Sequence, residues 1–193
     1  MNIGYFISAH GFGHSARACA VMEKIFEIKK VIFFIFSNTP EWFFKNSLRF
    51  TYEYIPITTD VGIIQTDPFT ENLNLTLQQL DNFLPFHSEN YAKFIQIIKD
   101  KRLDFIICDI SPLGIWLAKQ INVPCILIEN FTWDWIYEYY MDEFPGFSKH
   151  IHYLREMYAK VDMRFSCQPF CELVADSIIT APVYRKQRIK SEE

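Results

Sequence analysis

Short apolar runs alternate along the chain with longer segments of helical periodicity. Three of these runs are residues 31–36 (VIFFIF), 104–109 (DFIICD) and 124–129 (PCILIE). A strand that lacks polar alternation is typical of a parallel sheet covered on both faces. The pattern therefore predicts an α/β fold, a Rossmann-like open parallel sheet with helices on both faces and right-handed crossovers.

The remaining segments extend the same alternation. Further strands are expected at residues 2–8, 51–57 and 177–180. Helices are expected at residues 15–28, from Thr39-Pro40 onward, and at 71–84, 88–99, 111–121, 132–141 and 148–161. The segment 88–99 reads as a continuation of 71–84 after a break or bend at Pro85. Residues 60–69 read as a loop.

Composition excludes several classes of protein. The 193 residues carry a formal net charge of −4, which argues against a nucleic-acid partner bound through bulk charge. No secretory signal and no apolar run of the roughly 20 residues that cross a bilayer is seen. Five cysteines without paired zinc spacing indicate free thiols and no metal site. We expect a cytoplasmic protein without cofactor; peripheral contact with a membrane stays open.

A glycine-rich turn lies between the first strand and the first helix. Residues 11–16 (GFGHSA) match G-x-G-x-x-G/A, in which glycines and helix amides approach a phosphate group. Gly11 and Gly13 are therefore candidates for a diphosphate-binding loop. The second strand ends at Ser37-Asn38 without the carboxylate that would hold an adenosine ribose, which disfavours a nicotinamide enzyme. The chain has no G-K-[ST], so a P-loop is excluded.

Two histidines flank this turn. His14 falls in the first helical turn, where the helix dipole disfavours imidazolium, so it is a candidate general base. His10 lies at the strand exit. Asp109 ends another strand at the same sheet edge, and it either orients the His14 ring or caps the helix at Ser111-Pro112. The residues alone leave these two roles of Asp109 open.

Three segments and one aspartate carry a family resemblance. Residues 9–17 (AHGFGHSAR) resemble the H-G-x-G-H-x-x-R loop of GT-B-fold glycosyltransferases, especially the glycosyltransferase-like half of plant L-arabinokinases and related bacterial proteins. Residues 60–67 (DVGIIQTD) and 130–137 (NFTWDWIY) resemble that group's D-x-G-x-x-Q-x-D and N-F-[ST]-W-D-[FW]-I-Y segments. Asp109 fits the aspartate after the fourth strand. The similarity extends to about residue 188.

This resemblance implies that two domains of the enzyme have different roles. In GT-B enzymes of this type the N-terminal domain binds the acceptor and carries the base, and the C-terminal domain holds most of the nucleotide-sugar. His14 then matches the base, Asp109 the aspartate that orients it, and Gly11 and Gly13 the donor diphosphate loop. The implied reaction is an inverting, metal-independent transfer of a hexose-like sugar from a nucleoside diphosphate, most commonly UDP, to an acceptor hydroxyl.

Further candidate contacts follow from the same segments. We expect His10, Asn130, Trp133 and Asp134 to bind substrate. Trp133 and Tyr137 should share one helix face while Trp135 points away. Asp60, Gln65 and Asp67 are either acceptor contacts or turn formers, and the second role is favoured.

The resemblance also sets an expected domain organisation. Residues 1–183 would form the acceptor-side domain, and residues 184–193 (YRKQRIKSEE) a charged interdomain linker or tail. The C-terminal nucleotide-sugar domain would be absent and supplied in cis or in trans, so the chain alone should transfer little or no sugar. The alternatives are a non-catalytic remnant or carbohydrate-binding module and, less favoured, a dinucleotide-dependent oxidoreductase.

Overall fold

The computed structural model describes residues 1–185 of the chain. Its strands are β1 (Asn2–Ile7), β2 (Ile32–Phe36), β3 (Tyr52–Ile55), β4 (Gln65–Asp67), β5 (Thr70–Glu71), β6 (Phe105–Asp109), β7 (Cys125–Glu129), β8 (Met163–Cys167) and β9 (Ile178–Thr180). Seven of them form one sheet in the order β3-β2-β1-β6-β7-β8-β9, and β4 pairs with β5 in a separate hairpin. Every pairing within the large sheet is parallel, as the sequence predicted.

Helices cover both faces of this sheet. They are α1 (Phe12–Ile28), α2 (Glu41–Ser47), α3 (Leu73–Phe83), α4 (Ser88–Lys101), α5 (Pro112–Ile121), α6 (Trp133–Glu138) and α7 (Ser148–Tyr158). Neighbouring strand residues belong to two different apolar clusters: Tyr5 and Ile7 pack with α1 and α2, and Phe6 packs with α3 to α7. Since side chains alternate across a strand, these clusters are the two covered faces of the predicted layer architecture.

The strand order brings the ends of three strands together. Ile7 at the end of β1 is in register with Asp109 of β6, and Asp109 is in register with Ile128 of β7. The chain moves from β1 to β2 on one side, whereas β6 lies on the other side of β1. Open α/β sheets bind ligands at such a switch point, outside the carboxyl ends of the strands.

Several element boundaries differ from the prediction. The first helix begins at Phe12 instead of Ser15, because Gly11 takes the cap position with φ of 82°. The segments 71–84 and 88–99 belong to two separate helices, since the chain is extended at Leu84. The expected loop at 60–69 contains β4, and α6 stops at Glu138 rather than at residue 141.

One strand, β8, was not predicted at all. Its sequence MRFSC places an arginine and a serine between apolar residues, and its first three residues are only partly covered. The strand nevertheless pairs with both β7 and β9, so its position depends on tertiary contacts that a short apolar window does not reveal.

The chain returns toward α1 and α2 after β9. Nη1 of Arg185 donates a hydrogen bond of 2.6 Å to Oγ of Ser47, and the guanidinium lies 4.9 Å from the ring centroid of Phe43. The predicted charged linker or tail begins here, but its residues 186–193 lie outside the described part of the chain.

The structure also bears on the expected free cysteines and on the expected lack of a membrane-spanning segment. All five cysteines fall within residues 1–185 and none forms a disulfide; four are buried and Cys171 is exposed. Across the same residues, no helix combines the length and the apolar character needed to traverse a bilayer.

Candidate active site

The two residues of the predicted dyad are in direct contact. His14 is in the first turn of α1, and Asp109 is the fully buried last residue of β6. Nδ1 of His14 lies 2.8 Å from Oδ1 of Asp109. A carboxylate oxygen only accepts, so Nδ1 carries a hydrogen, and when the ring is neutral the lone pair is on Nε2. This is the tautomer that a general base requires.

The alternative role of Asp109, as the cap of the next helix, is filled by another residue. Oγ of Ser111 accepts a hydrogen bond of 3.2 Å from the backbone N–H of Gly114 and caps α5. Asp109 therefore points its carboxylate to α1 instead. The residue between them, Ile110, has a left-handed φ of 49°, a strained conformation for a β-branched residue of the kind often found at functional sites.

Arg17 completes this contact and was not among the predicted site residues. Its Nε donates to Oδ2 of Asp109 at 2.8 Å, and its Nη2 donates to Oδ1 at 2.6 Å. Its Nη1 donates to Oδ1 of Asn130 at 2.8 Å. Arg17 lies three positions after His14 on α1, so helical spacing could have indicated that both side chains share one face.

These contacts fix the charge of Asp109. Burial is the largest influence and opposes ionisation, but the charge and hydrogen bonds of Arg17, with the hydrogen bond from His14, hold the pKa of the Asp109 carboxyl below its ordinary value. Burial likewise opposes the charge of Arg17, yet Asp109 holds the pKa of the guanidinium above its ordinary value. Asp109 and Arg17 therefore form a buried ion pair.

The glycine turn presents backbone amides beside this ion pair. Gly11 adopts φ of 82°, and both Gly11 and Gly13 are exposed. A Cβ added to Gly13 would meet no atom within 4 Å. Within the described residues, α1 receives no side-chain cap and has no acidic residue in its first turn. Its first amides and dipole are therefore available to an anionic group.

A second group of side chains surrounds Asp60. Its buried carboxyl accepts a hydrogen bond of 2.8 Å from Nε1 of Trp133, and the Trp133 ring meets His10 edge-on at 5.1 Å. Burial raises the pKa of Asp60, although hydrogen bonds from Ser8 and Trp133 offset part of that effect. Burial also lowers the pKa of His10. The sequence favoured Asp60 as a turn former, but its side chain is also the buried acceptor of a hydrogen bond from Trp133.

The other two polar residues of that segment lie in the exposed hairpin. Oδ1 of Asp67 accepts a hydrogen bond of 2.9 Å from the backbone N–H of Phe69, as a turn former does. Gln65 is exposed in β4. Neither side chain reaches the carboxyl end of the large sheet through any hydrogen bond described for residues 1–185.

The aromatic face of α6 is arranged as predicted. Trp133 and Tyr137 are buried and stack with ring centroids 5.9 Å apart, and Trp135 is on the exposed side. Trp133 is only 2% exposed and its N–H is bonded to Asp60, so it lies beneath His10 rather than at the surface of the site.

Asp134 is separated from the His14 network. Its Oδ2 lies 3.5 Å from Nε of Arg155, and its buried Oδ1 has no hydrogen-bond partner in residues 1–185. It lines a cavity of about 450 Å³ together with residues of α7 and of the segment 172–176. Of the candidate residues, the structure thus groups His14, Asp109 and Asn130 in one network and His10 with Trp133 in another.

Comparison with known proteins gives a consistent result. The family model of glycosyl transferase family 1 matches residues 1–190. The L-arabinokinase of Arabidopsis thaliana is 21% identical over 191 residues, which is 97% of this chain and 18% of that protein.

Two solved structures have the same fold. The spinosyn rhamnosyltransferase SpnG superposes with a TM-score of 0.58 at 10% identity, covering 93% of this chain and 49% of SpnG. Phytolacca americana UGT2, solved with UDP-2fluoro-glucose and pterostilbene, superposes with a TM-score of 0.55 at 12% identity, covering 96% of this chain and 55% of UGT2. The chain thus spans about half the length of these two proteins and less than a fifth of the L-arabinokinase.

Proposed function

Because this chain belongs to glycosyl transferase family 1 and has the Rossmann-like fold of GT-B glycosyltransferases, we propose that it is the acceptor-binding half of an inverting glycosyltransferase. The donor would be a nucleoside-diphosphate sugar and the acceptor a hydroxyl compound. The observation that carries this proposal is the 2.8 Å contact between Nδ1 of His14 and Oδ1 of Asp109. It leaves Nε2 of His14 as a base at the carboxyl end of the sheet.

The proposed reaction is a single displacement. Nε2 of His14 takes the proton of the acceptor hydroxyl, and the acceptor oxygen forms a bond to the anomeric carbon of the donor. The bond from that carbon to the diphosphate breaks, and its electron pair goes to the departing phosphate oxygen. Attack opposite the leaving group inverts the anomeric centre. Asp109 stabilises the imidazolium that forms, as the carboxylate of a catalytic triad does.

The leaving diphosphate would be stabilised by the glycine turn. Backbone N–H groups at the start of α1 and the positive end of its dipole suit a developing negative charge. Gly11 and Gly13 allow close approach of a phosphate because they carry no side chain. The proposed route therefore needs no metal ion, and UDP is the donor nucleotide we propose, since UGT2 was solved with a UDP-sugar.

Donor binding is proposed to need a second domain. A GT-B site lies in the cleft between two domains, and this chain spans about half of SpnG and of UGT2. We propose that a C-terminal domain, in the same polypeptide or in a partner, supplies most of the donor contacts and excludes water. The chain alone should then transfer little or no sugar. The free thiols of the structure support a reducing compartment such as the cytoplasm.

The test uses the native protein, isolated from its source cells with an antibody to this chain so that any second domain is retained. Release of nucleoside diphosphate is measured with a panel of UDP-, GDP- and TDP-sugars. His14→Ala should lower the rate by at least about a hundredfold, the effect of losing a general base. His152→Ala is the matched control, because that imidazole is exposed on α7. An unchanged rate in His14→Ala would contradict the proposed role of His14, whereas a native protein that releases no nucleoside diphosphate above background would favour a non-catalytic carbohydrate-binding module.

A further inference from the structure

Arg17 uses each nitrogen of its guanidinium in the site. Nε and Nη2 hold the two oxygens of Asp109, and Nη1 holds Oδ1 of Asn130. The side chain thereby joins α1 to the carboxyl ends of β6 and β7. Only about a tenth of the Arg17 side chain is exposed, so it is built into the site rather than lying over it.

We propose that Arg17 is a positioning residue that holds the Asp109 carboxylate against Nδ1 of His14 and turns the Asn130 amide so that its NH2 group is available to a substrate oxygen. This inference rests on the proposed function only for its consequence in catalysis. The two structural effects can be measured on the chain without any sugar transfer.

The first effect follows from a shared oxygen. Oδ1 of Asp109 accepts from both His14 and Arg17, and Nη2 of Arg17 lies 3.3 Å from Nδ1 of His14. Because Nε of Arg17 binds Oδ2 at the same time, the guanidinium fixes the plane of the carboxylate and thereby the ring nitrogen of His14 that donates to it.

The second effect follows from the chemistry of a guanidinium. All of its nitrogens are donors, so the atom of the Asn130 amide that faces Arg17 must be the oxygen. The NH2 group then occupies the other end of the half-buried side chain. A substrate group that meets Asn130 must therefore be an acceptor, such as a hydroxyl or phosphate oxygen.

The test is nuclear magnetic resonance of the 193-residue chain, with the ring nitrogens of His14 and the side-chain NH2 of Asn130 assigned. In Arg17→Met, the ring nitrogen signals of His14 should change from those of a single Nδ1–H tautomer to those of a mixture of the two tautomers, because the Asp109 carboxylate is no longer held on both oxygens. Arg17→Lys keeps the charge but cannot span both partners. It should leave the ring nitrogen signals of His14 near those of the native chain while shifting the Asn130 NH2 signals.

Lys24→Met is the matched control, because it removes a cation from the exposed side of the same helix. It should change neither readout. The proposal is overturned if Arg17→Met has the His14 ring nitrogen signals of the native chain, or if Arg17→Lys shifts these signals as far as Arg17→Met does. Should Arg17→Met not fold, Arg17→Lys decides alone: unchanged Asn130 NH2 signals overturn the proposal. Failure of the proposed function would appear separately, as sugar transfer that does not depend on His14.

Discussion

Nε1 of Trp133 donates a 2.8 Å hydrogen bond to the buried carboxyl of Asp60, although 73 residues separate them in sequence. The contact ties the start of α6 to the segment that follows β3. It also supports His10, whose ring rests edge-on against the indole. Residues 60–67 and 130–137, two of the segments that resemble glycosyltransferase motifs, therefore together support His10 of the third segment, residues 9–17.

Trp133→Phe should destabilise the chain by about 1 to 3 kcal/mol, because it leaves the buried Asp60 carboxyl without one of its donors. Urea unfolding followed by circular dichroism gives the free energy of unfolding. Trp135→Phe is the control, since that ring is on the exposed side of α6 and should change stability by no more than about 0.5 kcal/mol. Equal losses in the two variants would show that the indole hydrogen bond contributes little.

Asp60 should make the stability fall as the pH rises. Burial raises the pKa of Asp60 in the folded chain, so the native state holds this proton more tightly than the unfolded state does. The stabilisation is fully present below the unfolded pKa of about 3.9 and is lost as the pH rises through the folded value. Asp60→Asn should therefore gain stability relative to the native chain between those two values. A difference in unfolding free energy that stays constant from pH 3 to pH 8 would contradict this expectation.

Gly62 is required by the position of His10. A Cβ at this position would overlap the imidazole ring of His10, beginning with Nδ1. Gly62→Ala should displace that ring, but His10 is exposed and its side chain can turn, so the free energy of unfolding should change by no more than about 1 kcal/mol. The heat-induced unfolding midpoint and the chemical shifts of the His10 ring report the two effects. A native-like His10 spectrum in the alanine variant would show that the loop yields instead.

Sequence periodicity predicted the layers of this fold and placed His14 and Asp109 at one edge of the sheet, but it left the role of Asp109 open and did not predict the remaining contacts of the site. His14 lies shortly after the apolar run of β1, and Asp109 ends the apolar run of β6. Because the carboxyl ends of parallel strands lie at the same edge of a sheet, the two residues are expected to be neighbours. In the sequence, Arg17 cannot be distinguished from a solvent-exposed arginine of an amphipathic helix, and only the tertiary arrangement shows that it contacts Asp109. The sequence predicted that Trp133 would bind substrate, but its indole is buried and its N–H donates to Asp60. A local turn also accounts for Asp60 in the sequence, so nothing there indicated this contact.

Gly13→Ala should separate ligand binding from folding. In the free chain a Cβ at Gly13 has open space, so the unfolding free energy should stay within about 0.5 kcal/mol of the native value. If a diphosphate approaches this backbone closely, the added methyl group should weaken the binding of UDP by about tenfold, a loss of about 1.4 kcal/mol. Isothermal titration of the native protein with UDP measures this. Unchanged UDP affinity would place the diphosphate away from the turn.

Gly11→Ala is the companion variant for that experiment. Gly11 has φ of 82° and ψ of 161°, a region that is essentially open only to glycine, so an alanine there is strained and should cost about 1 to 3 kcal/mol of stability whether or not a ligand is bound. The pair of variants therefore tests two different roles for the glycines of one turn, a backbone conformation at Gly11 and space for a ligand at Gly13.

Asn130→Asp tests which end of the amide the substrate uses. The substitution keeps an oxygen acceptor for Nη1 of Arg17 and replaces the NH2 donor with a second acceptor. The chain should remain folded, while sugar transfer by the native protein falls by about tenfold or more, because a substrate oxygen would then face an acceptor. Asn130→Ala is the control that loses both ends of the amide, so it should reduce stability as well as transfer. Native transfer rates in Asn130→Asp would mean that Asn130 acts only as a partner of Arg17.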